Sequence, residues 1–255
     1  MGASFPAILT AAVFVLGTVA LVFAVYFAAR ATLAPRMGDD TQDLAGSVIF
    51  RVSALLGLIL ALVFAQELVQ FREIRSALIS EATAVADIYH DVARYGTPSE
   101  AEIQQALSQY VREVINVEWA LLSSDGSLAD DAWVQREHVY LALLDLEPET
   151  TRQETLRAHM MQKIQLIAEL RQMRENAAIH NMSALFWTAA LAGIVLVTLP
   201  YFTFRPSALN LLLLAVYGGF TGLVLFIIYA LSDPFGGPGA LPPAAFEQLA
   251  AQGIG

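Results

Sequence analysis

Cysteine is absent from this chain, and charge is scarce: only 15% of its 255 residues are Asp, Glu, Lys or Arg. Without cysteine there are no disulfides, thiolate zinc sites or cysteine nucleophiles. A soluble domain carries about 25% charged residues, so 56% hydrophobic residues and a mean hydropathy of +0.56 are atypical of one. The phosphate-binding glycine loop, the zinc-protease motif His-Glu-x-x-His and the hydrolase motif Gly-x-Ser-x-Gly are also missing. We therefore expect neither an enzyme nor a bound cofactor.

Apolar residues gather in four long segments, at 8–29, 48–69, 184–204 and 208–231. Because an α-helix rises 1.5 Å per residue, about 20 residues cross the roughly 30 Å hydrocarbon core of a bilayer. The first segment exceeds the core of a signal peptide, which is about 7 to 15 residues long, so we expect it to be retained. The sequence predicts an all-α, multi-pass membrane protein whose four spans contact the lipid bilayer.

Most of the charge lies between the second and third segments. From 71 to 182, 18 Asp and Glu residues oppose 10 Lys and Arg residues. We expect a first pair of spans at 1–70, a helical extramembrane domain at 71–182, a second pair at 183–231 and an irregular tail at 232–255. The tail includes a short amphipathic piece at 243–252. An acidic domain repels nucleic acid, so no such partner is expected. The acidity fits either an ordinary solvated surface or a vestibule that concentrates cations.

The two spans that border this domain are predicted to continue into it as helices. Beyond the second segment, apolar residues recur at helical spacing until Gly96 and Pro98 signal a helix end. The last helix of the domain begins near Thr150, and no Gly or Pro separates it from the third segment. Ser99 and Glu102 have the spacing of a capping box.

Glu81 occupies a position in the apolar stripe where a leucine would be expected. It either turns to solvent at the edge of the stripe or is buried with a partner, because burying an unpaired carboxylate is costly. We expect Glu81 to be buried and paired, and we expect Trp119 to be a second buried polar group.

Other ionisable groups indicate neither a metal site nor a proton pump. The histidines lie singly along the chain, at His90, His138, His159 and His180. Such isolated histidines are typical of structural positions, and His180, beside the third span, is the one for which we expect a pH effect. Charged residues are confined to the ends of the spans, whereas a pump needs carboxylates at the middle of the membrane.

The second apolar segment differs from the others in its end charges, Arg51 and Glu67, between which there is no further charge. Two rows of apolar side chains run along it at helical spacing: Val52, Leu56, Leu60 and Phe64, and beside them Leu55, Ile59 and Val63. This arrangement suits polar mouths around a hydrophobic constriction, and it equally suits an ordinary lipid-facing or core helix. In the fourth segment, Gly218, Gly219 and Gly222 permit close helix contact.

Several elements, in this order, resemble the uncharacterised bacterial bestrophin-like family: the apolar run 56–64, Glu81-Ala82, Tyr89, Tyr110, Glu118-Trp119, Trp187 and Leu231-Ser232-Asp233-Pro234-Phe235-Gly236. The resemblance covers about residues 8–250 and implies four spans with a helical domain between the second and third. More remotely, it implies a likeness to bestrophins, pentameric ion channels whose second span lines a hydrophobic neck. The acidic calcium-binding run of bestrophins has only Asp233 and Glu247 here, so calcium gating is not implied.

Two functions remain open on the sequence. The first is a homo-oligomeric ion channel, most simply a pentamer, that favours cations. Its pore would be lined by Val52, Leu56, Ile59, Leu60, Val63 and Phe64, with mouths at Arg51 and Glu67. The second is a non-conducting scaffold or accessory subunit that binds a protein partner through the acidic domain.

Arginines are equally divided between the two sides of the membrane, so the positive-inside rule does not orient the chain. By the likeness to bestrophins, we expect a protein of the bacterial inner (plasma) membrane. Its termini and the domain at 71–182 would lie in the cytoplasm.

Overall fold

The computed structural model describes residues 5–38, 41–179 and 182–255, and within these residues every regular element is helical. The α-helices are α1 Phe5–Leu33, α2 Thr41–Tyr95, α3 Glu100–Glu113, α4 Trp119–Ser124, α5 Asp130–Leu144, α6 Thr151–Ile179, α7 Ala184–Thr198, α8 Ala208–Ser232 and α9 Ala244–Ala251. Short 3₁₀ turns at Ala34–Arg36 and Leu199–Thr203 follow α1 and α7, and a π-helix at Val114–Glu118 joins α3 to α4.

Four of these helical segments are long and apolar enough to cross a membrane: Pro6–Leu33, Thr41–Tyr95, Ala184–Thr203 and Ala208–Ser232. The prediction of an all-α protein with four spans is confirmed. The first, third and fourth agree with the predicted segments to within a few residues, because apolar length is a local property of the chain.

The two helices expected to leave the membrane differ from each other. α2 is continuous over 55 residues and ends before Gly96, whose φ of 75° is a conformation that favours glycine. The expected continuity into the third span is wrong, since α6 ends at Ile179 and α7 begins only at Ala184. Ser183 has extended backbone and its side chain accepts a hydrogen bond from the amide of Phe186. A serine N-cap thus starts a new helix without any Gly or Pro.

The described residues form two compact units. Residues 5–69 and 182–232 make up the first, called the membrane unit here, and residues 70–179 and 233–255 make up the second, called the helical unit. The segment 232–255 was expected to be an irregular tail with a short amphipathic piece at 243–252, and α9 lies within that piece. The segment buries Phe235, Phe246 and Ile254 in the core of the helical unit.

In the membrane unit, α1 packs along α8 at very short range. A Cβ on Gly222 would lie 2.7 Å from the carbonyl oxygen of Phe14 and 2.8 Å from the Cα of Val15. The small residues predicted to allow close contact therefore do so. At the other end of α1, Arg30 donates hydrogen bonds of 2.9 and 3.0 Å to the carbonyl oxygens of Phe202 and Phe204. These bonds satisfy backbone groups where the chain turns between α7 and α8.

The core of the helical unit is built from apolar stripes at helical spacing. Its fully buried members include Val85, Ile88, Val92, Ile103, Leu107, Val111, Val139, Leu143, Met160, Ile164, Ile167 and Phe246. The capping box expected at Ser99 is absent, because the backbone of Ser99 is not extended (φ −82°, ψ 7°) and its side chain makes no capping bond.

Candidate functional site

The first predicted row on α2 faces the chain's own helices. Leu56 and Leu60 are only 9% and 7% exposed and belong to the apolar core of the membrane unit. Leu56 lies over Gly193 of α7, where an added Cβ would approach its Cδ1 to 2.6 Å. Val52 and Phe64 are partly buried against the same core. This row therefore anchors α2 within the membrane unit.

The adjacent row is mostly uncovered. Leu55 and Ile59 are 61% and 53% exposed, and Leu58 and Leu62, on the same side of the helix, are similarly exposed. Val63, the third member of the predicted row, is instead partly buried. A continuous apolar strip therefore runs along α2 at Leu55, Leu58, Ile59 and Leu62. In a membrane, such a strip contacts either lipid or another protein chain.

The two end charges of this segment also differ in environment. Arg51 is exposed, and it lies one turn before Leu55 on the same face as the strip. Glu67 is only 7% exposed. Of the two end charges, Arg51 is therefore the one that is exposed on the same face as the apolar strip.

A buried network of charged side chains lies in the helical unit. Glu81 of α2 is fully buried, and it accepts a short hydrogen bond from the hydroxyl of Tyr110 in α3 and one of 3.0 Å from Arg174 in α6. Arg174 also donates to Glu118, whose other carboxylate oxygen accepts a bond of 2.6 Å from Arg171. Two carboxylates and two guanidinium groups thus balance in charge, as buried ions must.

The π-helix at Val114–Glu118 precedes α4 and helps to complete this network. A π turn contains one residue more than an α turn and so shifts the side chains that follow it around the helix axis. Glu118, at its end, is fully buried, and it also accepts a hydrogen bond of 3.0 Å from the amide of Ala129 at the start of α5. Arg171 donates to the carbonyl oxygen of the same Ala129, at 2.5 Å. The network therefore connects α2, α3, α5 and α6.

The burial of this network changes its acid–base properties. Burial raises the pKa of the Glu81 carboxyl, and the opposing effects of Arg174 and Tyr110 only partly offset it. Burial, followed by the charge of Glu81, raises the pKa of the Tyr110 hydroxyl well above 10. The tyrosine hydroxyl is therefore a hydrogen-bond donor to Glu81 over the physiological pH range.

Trp119 is half-buried, not buried as expected, and it holds the C-terminal segment. Its Nε1 donates a hydrogen bond of 2.9 Å to the carbonyl oxygen of Leu241, and its ring packs edge-on against Phe235 and Phe246. Asp233 accepts hydrogen bonds from the amides of Phe235 and Gly236, at 3.2 and 2.7 Å. The Asp-Pro-Phe-Gly element is thus a turn that directs Phe235 into the helical unit.

Sequence reasoning singled out Glu81 and missed its partners. Arg171 and Arg174 are three residues apart on α6 and are 2% and 1% exposed. Both arginines lie within an apolar stripe of α6, as Glu81 lies within the apolar stripe of α2. This position in the sequence could have identified them as buried charged residues. His180 lies outside the described residues. Among the described residues, no three His, Asp or Glu side chains are placed to hold a metal ion.

Comparison with known proteins adds one match. The model of the bestrophin-like domain family matches residues 4–246 of this chain. The chain matches no curated protein and no solved structure.

Proposed function

Because the chain belongs to the bestrophin-like family, we propose that it is a homo-oligomeric ion channel of the bacterial inner membrane, with a pore lined by α2. The observation that carries the proposal is the exposed apolar strip of α2 at Leu55, Leu58, Ile59 and Leu62, with Arg51 at its end. An apolar constriction with a polar mouth is a common channel gate, because it dewets when it is narrow.

Conduction requires several copies of the chain. Four spans are too few to enclose a water-filled pathway, whereas a ring of copies, each contributing one α2, can surround a central pore. The likeness to bestrophins favours five copies.

We further propose that the row containing Leu55 and Ile59 forms the neck of the pore. Leu56 and Leu60 are engaged with the chain's own helices, so they support α2 from behind. Leu55 and Ile59 have no such engagement and would face the axis. The excess of carboxylates between 71 and 182 would concentrate cations in the vestibule next to this neck.

Ion flux in liposomes and single-channel recording test the neck directly. Ile59→Ala removes apolar bulk from the proposed constriction, so unitary conductance should rise. The matched control is Leu60→Ala, one residue away, which should lower the melting temperature and leave unitary conductance unchanged. The proposal fails if Leu60→Ala widens the pore and Ile59→Ala has no effect.

The number of chains in the purified particle is the second test. Mass photometry of the protein in mild detergent should give a closed ring, most simply of five chains. A monomeric or dimeric particle that passes no ions would rule out the channel proposal. The remaining function would be a membrane scaffold that binds a protein partner through its acidic helical unit.

A further inference from the structure

Arg51 is the only charged residue that α2 exposes along its apolar stretch. Between Leu44 and Val69, α2 carries two charged residues, Arg51 and Glu67, and Glu67 is buried. Leu44 and Leu55, which lie two turns before and one turn after Arg51 on the same face, are exposed apolar residues. Among the described residues, no group forms a hydrogen bond or ion pair with the side chain of Arg51. The guanidinium group therefore takes its polar partners from outside the chain.

The position of Arg51 along α2 assigns it to one end of the span. α2 is a continuous helix over Thr41–Tyr95, and the helical unit begins at residue 70. At 1.5 Å per residue, Arg51 lies about 28 Å along the helix from residue 70. This distance is close to the roughly 30 Å thickness of the hydrocarbon core. Arg51 and residue 70 therefore lie near opposite faces of the membrane.

In the proposed ring of α2 helices, the two ends of the ion path carry opposite charge. Each copy places one Arg51 next to Leu55, at one end of the neck. Beyond the other end, residues 71–182 contain 18 Asp and Glu residues against 10 Lys and Arg residues. Leu58, Ile59 and Leu62, between the two ends, carry no charge.

We infer that the Arg51 side chains form a cationic collar at one mouth of the pore, and that this collar makes the current depend on the direction of the voltage. The inference rests on the proposed channel and assigns the residue that selects ions at that mouth. A ring of like charges raises the local concentration of anions and lowers that of cations. The carboxylates of the vestibule do the reverse at the other mouth.

The sign of the effect follows from which ion enters at which mouth. With positive voltage on the vestibule side, cations enter past the carboxylates and anions enter past the collar. Both ions then enter where the local field has concentrated them, so both accumulate in the neck. With the opposite voltage, each ion enters at a mouth that repels it, and the neck is depleted. The current is therefore larger when the vestibule side is positive, whichever ion carries most of it.

Single-channel current–voltage curves of the full-length protein in symmetric salt test this inference. Proteoliposomes are fused with a planar bilayer, and the protease accessibility of a C-terminal tag assigns the vestibule side. At equal and opposite voltages, the wild-type currents should differ by about twofold or more. Arg51→Gln should bring the ratio close to one, and Arg51→Lys should preserve it. Arg51→Glu should also remove the asymmetry and shift permeability towards cations.

The matched control is Arg205→Gln. Arg205 is an exposed arginine in the turn between α7 and α8, and four spans place that turn on the same side of the membrane as the start of α2. Because it is not on α2, its removal should leave the ratio unchanged. A second measurement needs no variant. Raising the salt from about 0.01 M to about 1 M shortens the Debye length from about 30 Å to about 3 Å, so the wild-type asymmetry should shrink.

Three results in a conducting protein would overturn the inference and leave the channel proposal standing. They are equal currents in both directions in wild type, larger current when the vestibule side is negative, and an unchanged ratio in Arg51→Gln. In the last case, Arg51 contacts lipid head groups and not the ion path. A protein that passes no ions would remove the channel and the collar together. Melting temperature and particle mass show whether Arg51→Gln is folded and assembled. If it is not, Arg51→Lys and the salt series decide, and an asymmetry that persists at about 1 M salt would count against the collar.

Discussion

Arg174 and Glu81 are 93 residues apart in the sequence, yet Nη1 of Arg174 donates a hydrogen bond of 3.0 Å to Oε2 of Glu81. Their side chains are 1% and 0% exposed. A buried ion pair is weak evidence for stability, because desolvation offsets much of the attraction. The pair joins α2 to α6, and moving the two helices apart would leave both charges buried without their partners.

Removal of one member of the pair should be costly. Glu81→Gln leaves Arg174 with one carboxylate partner in place of two, and we expect the unfolding free energy to fall by about 3 kcal/mol or more. Glu73→Gln is the matched control, because Glu73 is an exposed glutamate on the same helix. Thermal melting followed by circular dichroism compares the two. Equal melting temperatures would mean that the network does not stabilise the helical unit.

The stability of the helical unit should also depend on pH through Asp91. Burial alone would raise the pKa of this carboxyl, but hydrogen bonds from His159 and Arg94 outweigh burial and lower the pKa below 3.8. A lowered folded pKa stabilises the protein above about pH 3.8, and the stabilisation is lost as the pH falls through the folded pKa.

Asp91→Asn tests this linkage by comparing melting temperatures from pH 7 down to pH 3. The variant should melt below wild type at neutral pH, and the difference should shrink below about pH 3.8. Asp131→Asn, at an exposed site, is the control and should show no such trend. A difference that grows on acidification would contradict the assigned sign.

Gly222 should be far more sensitive to substitution than its neighbour Gly219. A Cβ at Gly222 would overlap the backbone of α1, whereas a Cβ at Gly219 would lie 3.9 Å from Val15, an ordinary contact. We expect Gly222→Ala to destabilise the membrane unit by about 1–3 kcal/mol and Gly219→Ala to have little effect. Melting in detergent measures both. Equal tolerance of the two substitutions would contradict the close packing of α1 and α8.

The orientation of the chain can be determined with alkaline phosphatase, which is active only in the periplasm. Four spans place both ends on one side, and we expect that side to be the cytoplasm. A fusion after Gly255 should therefore be inactive, and a fusion after Pro206, between α7 and α8, should be active. The reverse pattern would place the helical unit outside the cytoplasm.

Glu81 shows which part of the fold local sequence patterns can predict and which part they cannot. Its burial was expected from its place in an apolar stripe, because the helical period fixes which face of a helix is apolar, together with the resemblance of Glu81-Ala82 to a family element. Its partners could not be inferred in this way. Arg171 and Arg174 reach Glu118 over separations of 53 and 56 residues, and such pairings depend on how the helices assemble.

The sequence by itself determined the four spans and the uninterrupted α2, because apolar length and helical spacing are properties of consecutive residues. Tertiary structure alone decided that Leu56, over Gly193 of α7, and Leu60 join the core of the membrane unit while Leu55 and Ile59 stay uncovered. An all-apolar helix gives no sign of which side its neighbours will cover. Tertiary structure also decided the place of the C-terminal segment. Phe235 and Phe246 find their apolar partners in helices more than 100 residues earlier, among them the ring of Trp119. Contacts over such distances leave no periodic trace in the chain.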